Sequence, residues 1–395
     1  MIFTRLLPIL GITFIDILGF SILIPILPYY VKHFGASTIA VGLLFATFAL
    51  CQFVAGPVWG NLSDRIGRKR VLIISQIGAT IGWAGLAFAP TLLWVFVARI
   101  IEGLSGGNIS VTQAYVADRI EPEHRAQGFA YVGAAFSAGL VLGPLAGGFL
   151  LAHYGYRMPF LLAAALQVVT LLATIFGLPE DVAEHGETAS AARFSDIVRY
   201  LGDRRVSPVL VQKLAYSLGL YAWFAVFALL LNAVAGFGPI ETSYFFATFG
   251  VMSVVFQLWV VGRVAARIGP RAASNIGFAF ACVYFVTAPF MHTIPALLAV
   301  QVLFSFALSM TNATLATLLT DASPDRVRGT VLGVGSSLEA VAGIVMPTIS
   351  TAVLTFYGPP WTGATSAVCC FVALALGVVA QRRGELPHAS AEGQA

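Results

Sequence analysis

Residues 60–70 read GNLSDRIGRKR, a short charged stretch that separates two long apolar runs, Ser37 to Pro57 and Val71 to Ala89. It contains one acid, Asp64, and four cations. A segment this charged does not stay in hydrocarbon, so it predicts a tight loop at a membrane surface with a spanning helix on each side. Because short cytoplasmic loops collect Lys and Arg, the cations indicate the cytoplasmic surface.

The composition supports a polytopic membrane protein. The chain is 58% hydrophobic and 10% charged, with a mean hydropathy of +0.87, whereas soluble domains carry about 25% charged residues. The net charge of +4 lies in loops and does not indicate nucleic-acid binding. The four cysteines fall inside apolar runs without metal-ligand spacing, so we expect small core residues, no disulfide framework, no metal and no cofactor.

Apolar runs of about 20 residues are long enough to cross a bilayer. The first run is longer than a signal-peptide core, which has about 7–15 residues, and no A-x-A site follows it, so we expect it to remain as the first helix. The sequence predicts twelve spans, at 6–31, 38–59, 71–89, 92–117, 127–152, 157–178, 208–233, 240–262, 272–291, 294–319, 329–354 and 361–381.

A long polar stretch after the sixth span divides the chain. We therefore predict an N-terminal six-helix bundle at 1–178, a cytoplasmic linker at 179–207, a C-terminal six-helix bundle at 208–381 and a cytoplasmic tail at 382–395. With the N-terminus inside, 19 of the 22 Lys and Arg residues lie in inner segments. Lys32 and Arg157 lie in outer loops, and Arg99 lies within a span. This asymmetry predicts that both termini are cytoplasmic.

An internal repeat supports two related halves. Offsets of 202 or 203 residues relate two sets of positions: Gly60, Arg65, Ile66, Gly67, Asp118, Arg125 and Pro144 to Gly262, Arg267, Ile268, Gly269, Asp321, Arg328 and Pro347. We infer that the halves share a six-helix plan. The second copy has Ala266 where the first has Asp64.

Four ionisable side chains fall near the middle of predicted spans: Asp16, Arg99, Glu102 and Glu339. Such charges cost about 2.5–3.5 kcal/mol on insertion scales, so they are usually functional. Arg99 and Glu102 stand three apart on one helical face and can neutralise each other, which leaves a structural ion pair as an alternative. Asp16 and Glu339 have no such neighbour on their own helices. Because desolvation favours the protonated form of an isolated carboxyl group, both are predicted proton-coupling sites, with a hydrogen-bonding contact in the bundle as the alternative.

Polar faces indicate a cavity within the bundle. In the fourth span, Arg99, Glu102, Gly106, Ser110 and Gln113 recur at spacings of three and four and form one polar face. Aromatic side chains in the seventh span are suited to stack on a flat amphipathic ligand, although packing is the alternative for each of them. The predicted cavity residues are Ser110, Gln113, Tyr216, Tyr221, Trp223, Gln301, Ser305 and Asn312.

The fifth span carries the pattern G-x-x-x-G-P-x-x-G-G. Small residues four apart let helix backbones approach closely, and proline kinks a helix, so we predict a tight but bendable helix contact. The pattern comprises Gly139, Gly143, Pro144, Gly147 and Gly148.

These motifs resemble the major facilitator superfamily, within it the twelve-helix drug:proton antiporters, and nearest the bacterial tetracycline-efflux branch. The resemblance rests on the loop at 60–70, the stretch RIIEG at 99–103 and the fifth-span motif, which resembles an antiporter signature. The run IDILGFSILIPILP at 15–28 and the segment AYVAD at 114–118 add to it. It implies an all-α membrane fold of two pseudo-symmetric six-helix halves.

The resemblance also implies roles for individual residues. Asp16 matches a first-helix acid, and Arg99 matches a buried arginine that assists proton transfer, with Glu102 and Glu339 as further proton-coupling candidates. The alternative for the charged loop is a solvated surface turn. Tetracycline-type exporters are expected to have an acid in the ninth span, but 272–291 contains none, and the third span has no carboxylate either. The implied cytoplasmic latch comprises Gly60, Asp64, Arg65, Gly67, Arg68 and Asp118.

The function predicted from these features is proton-coupled export of amphipathic drugs or related small molecules by alternating access. The expected partners are a small-molecule substrate, protons and the lipid bilayer, and the expected form is a monomer in a bacterial inner membrane. Two alternatives remain: a transporter of a specific metabolite such as a sugar, lipid or glycolipid, and a receptor or scaffold that does not transport. We do not expect an enzyme, since the sequence contains no nucleotide-binding loop, metal cluster or nucleophile arrangement.

Overall fold

The structure is a computed structural model, and it describes residues 2–106, 125–178, 194–324 and 327–383. In these ranges the chain forms helices joined by short connections. The helices are α1 (Ile2–His33), α2 (Thr38–Ile66), α3 (Arg68–Ala87), α4 (Leu92–Ser105), α5 (Arg125–Tyr154), α6 (Arg157–Gly177), α7 (Phe194–Leu201), α8 (Ser207–Ala235), α9 (Pro239–Phe256), α10 (Gly262–Ile268), α11 (Pro270–Thr287), α12 (Ile294–Asp321), α13 (Arg328–Tyr357) and α14 (Pro359–Arg383). A π-helical turn, Gln257–Val261, joins α9 to α10, and a 3₁₀ turn, Ala288–Phe290, follows α11.

Within the described residues, 11 helical segments are long and apolar enough to cross a membrane. They correspond to every predicted span except the fourth. There the helix α4 has 14 residues and ends at Ser105, where Gly106 takes an extended conformation with φ −71° and ψ 136°. The predicted unbroken helix at 92–117 is therefore wrong at Gly106, since two adjacent glycines weaken a helix at this point. Residues 107–117 lie outside the described ranges.

The chain groups into two compact units. Unit 1 comprises Met1–Ala191, Ala222–Val251 and Gly343–Thr362, and unit 2 comprises Ala192–Tyr221, Met252–Ala342 and Gly363–Ala395. The helices α8, α9, α13 and α14 contribute to both units. The predicted division into bundles at 1–178 and 208–381 stays a prediction.

Unit 1 is built around α1. This helix packs against α5 and α6, and α3 packs against α4 and α6. Aromatic side chains close the core: the rings of Tyr30 and Phe160 meet edge to face at 5.0 Å, and Trp83 stacks on Phe160 at 6.4 Å. The Tyr30 hydroxyl donates a hydrogen bond to the Leu86 carbonyl at 2.8 Å. The buried polar tip of this tyrosine is thus satisfied inside the apolar core.

Unit 2 is centred on the packing of α11 against α12. Tyr284 stacks on Phe304 with ring centroids 4.5 Å apart, and Phe285 packs against the same ring at 5.6 Å. On α8, Tyr216 packs against Phe278 at 5.4 Å. Unit 2 therefore has an aromatic core of its own.

The internal repeat is also present in the backbone. The described residues contain six glycines with positive φ, and they form three pairs 201–203 residues apart. One pair, Gly67 and Gly269, has φ values of 91° and 82° and ends α2 and α10. Their N–H groups donate to the Ser63 and Ala265 carbonyls at 3.1 and 2.9 Å. The other pairs, at connections that the sequence comparison did not include, are Gly35 with Gly236 and Gly155 with Gly358.

Candidate functional site

The Arg99–Glu102 pair lies on α4 and is sealed from solvent. Arg99 Nη1 is 2.5 Å from Glu102 Oε2, and the two side chains are 0% and 10% exposed. The guanidinium also lies 4.0 Å from the centre of the Phe48 ring, within cation–π range. The predicted mutual neutralisation is observed, because the two charges share one helical face. The role of the pair in proton transfer stays a prediction.

Asp16 receives a partner from another helix. Gln167 on α6 donates from Nε2 to Asp16 Oδ1 at 2.8 Å, and the Gln167 side-chain oxygen accepts from Thr170 at 3.0 Å. Asp16 is partly buried. The expectation of an isolated acid is therefore wrong, because α1 packs against α6 and brings together residues 151 positions apart. The alternative of a hydrogen-bonding contact within the bundle is observed.

Glu339 also has a partner, and it is a cation. Lys213 Nζ on α8 lies 3.2 Å from Glu339 Oε1 on α13. The expectation of an isolated acid is wrong here too. Lys213 is among the cations assigned to the inner segments, but its position inside the predicted span 208–233 indicates that it belongs to the membrane charges. This pair is more open than the α4 pair, since its side chains are 14% and 37% exposed.

The described members of the predicted cavity differ in burial. Tyr216, Trp223, Gln301 and Ser305 are buried in the interior. Tyr221 is partly buried and Asn312 is exposed. Ser110 and Gln113 lie outside the described residues. Of the six described candidates, Tyr221 and Asn312 are thus the two that are not buried in this conformation, and contact of the candidates with substrate stays a prediction.

The charged loop at 60–70 is mostly helical, which corrects the predicted loop. The helix α2 continues through Ile66, Gly67 alone turns the chain, and α3 begins at Arg68. Helix continuation satisfies backbone hydrogen bonds while long cationic side chains reach water from the helix ends. Arg65 is exposed on the last turn of α2. Asp118 lies outside the described residues, so the latch pairing of Asp64, Arg65 and Arg68 with it stays a prediction.

The fifth-span motif lies on α5 and faces α1. A Cβ atom at Gly139 would lie 2.7 Å from the Phe14 carbonyl oxygen, and one at Gly143 would lie 2.5 Å from the Leu18 carbonyl oxygen. Ser21 Oγ donates to the Gly139 carbonyl at 2.9 Å and links the two backbones. The close approach expected of this spacing is thus observed, with Pro144 inside the same helix. Further along α5, Gly147 faces Ile22 on α1, and Gly148 faces Ser243 on α9.

A second group of contacts lies at the end of unit 1 where α1 joins α2 and α8 joins α9. We call these the distal contacts. The Tyr29 hydroxyl on α1 lies 3.0 Å from the Ala228 carbonyl, 2.8 Å from the Phe237 carbonyl and 2.9 Å from Thr242 Oγ1. Gly42 on α2 fits against the Pro347 carbonyl on α13, which a Cβ atom would approach to 2.5 Å. The distal contacts therefore join helices from both copies of the repeat.

Replacing Tyr29 with phenylalanine is expected to destabilise the distal contacts by about 1–3 kcal/mol, because buried hydrogen-bonding groups lose their partner. The ring remains, so packing is preserved. The measurement is the melting temperature of the purified protein in detergent. Tyr154 to phenylalanine is the matched control, since Tyr154 is 63% exposed. Equal melting temperatures for the two variants would show that the Tyr29 hydroxyl adds no stability.

The sequence is similar to those of known membrane transport and resistance proteins. The family described as Major Facilitator Superfamily matches residues 9–271 and 216–394. The tetracycline resistance protein, class B, of Escherichia coli is 30% identical over 290 residues, 70% of this chain and 72% of that protein. Multidrug resistance protein 2 of Bacillus subtilis (strain 168) is 26% identical over 85% of both chains.

The fold of a solved transporter also matches. A bacterial homologue of the human lysosomal transporter Spinster, inward-facing and unoccupied, has a TM-score of 0.79 at 16% identity and covers 98% of both chains. These findings confirm the predicted all-α membrane fold and the resemblance to drug-efflux proteins. They identify an integral membrane transporter of small molecules. Since the family match spans most of the sequence and a relative is 30% identical over 70% of it, the chain belongs to the Major Facilitator Superfamily.

Proposed function

We propose that this transporter exports amphipathic drugs or related small organic molecules in exchange for protons, by alternating access. The observation that carries the proposal is Asp16, a partly buried carboxyl group held on the central helix α1 by the neutral amide of Gln167. The names of its relatives, a tetracycline resistance protein and a multidrug resistance protein, support the substrate class.

Asp16 has the surroundings that proton exchange requires. The Gln167 amide can donate its hydrogen bond to Asp16 in either protonation state, because a carboxylate oxygen and the carbonyl oxygen of a protonated acid both accept. A carboxyl group in a low-dielectric interior changes its protonation as its exposure changes. The sealed Arg99–Glu102 pair on α4 differs, since its charges compensate each other at 2.5 Å. We therefore propose Asp16 as the exchange acid and Arg99 with Glu102 as its auxiliary pair.

The helix contacts of unit 1 support alternating access. The distal contacts join helices of both repeat copies through hydrogen bonds and backbone contacts, which can break and re-form without chemical change. The α5 glycines let α5 lie directly on α1, which carries Asp16. A shift of α5 on α1 is thus coupled to the surroundings of the exchange acid. We propose that opening of the distal contacts and proton exchange at Asp16 alternate.

The charge distribution supports an orientation with both termini in the cytoplasm, since 18 of 22 Lys and Arg residues fall in the segments on that side when the intramembrane Lys213 is left out. We propose a bacterial inner membrane as the location and a monomer as the working form. Export then runs from the cytoplasm outward, and protons move in the opposite direction.

The test is transport by everted vesicles made from a host that lacks its own pumps. Vesicles containing the protein are expected to accumulate an amphipathic dye when energised, to release protons when a substrate is added, and to lose accumulation with a protonophore. Vesicles from cells with the empty vector are the control. Accumulation that persists with the protonophore would exclude proton coupling. A response to one sugar or lipid and to no drug would favour the metabolite transporter, and no flux of any compound would favour the scaffold.

A further inference from the structure

The Lys213–Glu339 pair of unit 2 differs from the Arg99–Glu102 pair of unit 1. Its atoms are 3.2 Å apart, and the Glu339 side chain is 37% exposed. In the Arg99–Glu102 pair the corresponding values are 2.5 Å and 10%. The α4 pair is buried, whereas the Glu339 side chain is partly exposed. The open pair is therefore the exchangeable one.

The surroundings of Lys213 combine a cation with aromatic side chains. Tyr216 and Tyr221 follow Lys213 on α8 by three and eight positions, a spacing that places all three on one side of the helix. Opposite them on α13 stands Gly335, where a Cβ atom would approach Lys213 Nζ to 3.3 Å and the Leu319 side chain to 3.3 Å. The glycine keeps space beside the ammonium group. A charged tip next to aromatic and aliphatic side chains suits an amphipathic ligand with one charged end.

The positive charge of Lys213 determines whether the charged end of the ligand is an anion or a cation. An ammonium group inside a membrane protein is unfavourable unless an anion compensates it. In the empty protein Glu339 provides the compensation. A cationic ligand would add a second positive charge beside Lys213, and like charges at this distance repel. An anionic ligand can take the place of Glu339, provided that Glu339 becomes neutral.

We propose that Lys213 binds the carboxylate, or an equivalent anionic group, of an amphipathic substrate. Glu339 pairs with Lys213 when no substrate is bound, and Glu339 becomes protonated when the substrate displaces it. The proposal rests on the proposed export function and names its substrate class. It also changes the role of Glu339. Glu339 carries one proton outward with each anion. Net proton entry therefore requires that more than one proton return inward per anion, and Asp16 together with Glu102 of its auxiliary pair provides two acids for this.

The charges and protons balance in each state. The empty site holds Lys213 with its ammonium group and Glu339 with its carboxylate, so its net charge is zero. The occupied site holds the ammonium group, the substrate anion and a neutral Glu339, and its net charge is again zero. One proton from solution is taken up for each anion bound, and both leave together. Lys213 forms the ion pair with Glu339, Tyr216 and Tyr221 are titratable groups on the same side of α8 as Lys213, and the neighbouring Gly335 and Leu319 carry no charge.

The test measures equilibrium binding to purified protein in detergent, with three fluorescent probes of equal size: pyrenebutyrate, pyrenebutanol and pyrenebutylammonium. The wild-type protein is expected to bind pyrenebutyrate most tightly. Its affinity is expected to fall as the pH rises, by up to about tenfold per pH unit, because one proton is bound with the anion. Empty micelles correct for partition of the probes.

Single substitutions distinguish the role of Lys213 in binding from that of Glu339. Glu339→Gln leaves Lys213 without its internal anion, so pyrenebutyrate is expected to bind at least about tenfold more tightly at pH 8, with the pH dependence lost. Lys213→Gln is expected to weaken pyrenebutyrate by at least about tenfold. The double variant is neutral, which protects the fold, and it is expected to bind all three probes alike. Lys32→Gln and Glu241→Gln are the matched controls, since both residues are exposed.

The outcomes are decisive for this proposal and separate from those of the export assay. Weaker binding of pyrenebutyrate by Glu339→Gln, preference of the wild-type protein for pyrenebutylammonium, or no saturable binding of pyrenebutyrate by Glu339→Gln would each overturn it. None of these results would affect proton-driven accumulation in everted vesicles. Conversely, the expected binding pattern without any proton-driven accumulation would support the anion site and overturn the export function.

Discussion

Replacing Gly143 with valine is expected to abolish stable folding or reduce it severely. Even a single Cβ atom at this position would lie 2.5 Å from the Leu18 carbonyl oxygen, which belongs to the backbone of α1 and cannot rotate away. The valine methyl groups would force α5 off α1 and break the Ser21 hydrogen bond to Gly139. Overpacking of a close-packed contact costs about 1–3 kcal/mol in soluble cores, and we expect the upper end or beyond here. The measurement is the yield of monodisperse protein and its melting temperature.

The same helix provides a matched control for Gly143. Gly133 also lies in α5, and a Cβ atom there would have no heavy atom within 4 Å. Gly133→Ala is expected to leave folding unchanged or to stabilise α5 slightly, because alanine favours the helix. Gly143→Ala should lie between this control and Gly143→Val. If Gly143→Ala and Gly133→Ala had equal melting temperatures, the contact between α5 and α1 would be looser than the structure indicates.

Replacing Asp16 with asparagine is expected to abolish proton-driven accumulation of substrate. Asparagine has nearly the same shape, and its carbonyl oxygen can still accept the hydrogen bond from Gln167, so α1 and α6 should remain packed. It has no proton to exchange, however, and the energy source is lost. Substrate exchange down a gradient needs no proton and should persist. Everted vesicles measure the first process, and exchange between preloaded and external substrate measures the second.

Glu241→Gln is the control for this substitution, because Glu241 lies at the exposed start of α9, where it accepts a hydrogen bond from the Gly238 N–H at 2.9 Å. It should accumulate substrate at the wild-type rate. Normal accumulation by Asp16→Asn would remove Asp16 from the coupling mechanism. Loss of downhill exchange as well would indicate damage to the transport path rather than to proton coupling.

Much of the fold was predictable because it depends on local properties of the chain. Apolar runs of sufficient length predicted the spans, and eleven of the twelve are present as helices in the described residues. The exception shows the limit of this reasoning: hydropathy continues through 106–117, but Gly106 leaves the helical conformation. The charged loop shows the same limit, since charge predicts a surface position but does not distinguish a loop from a helix end.

The candidate site was predictable only in part. The pairing of Arg99 with Glu102 follows from a spacing of three on one helix, and the structure contains it. For Asp16 and Glu339 the sequence predicted a location within a membrane span but did not predict the interaction partners. Their partners, Gln167 and Lys213, lie on other helices, and residue spacing along one helix does not predict contacts with another helix.

The amino-acid sequence by itself therefore determined that this chain crosses a membrane many times, that its two halves repeat one plan, and where its intramembrane charges lie. These are properties of hydropathy, charge and spacing along a single chain. Only the tertiary structure decided which charges are sealed and which are open, and which helices Tyr29 and Gly143 contact. Such partners are chosen by the packing of helices that are distant in sequence, and close packing depends on the shapes of both surfaces at once.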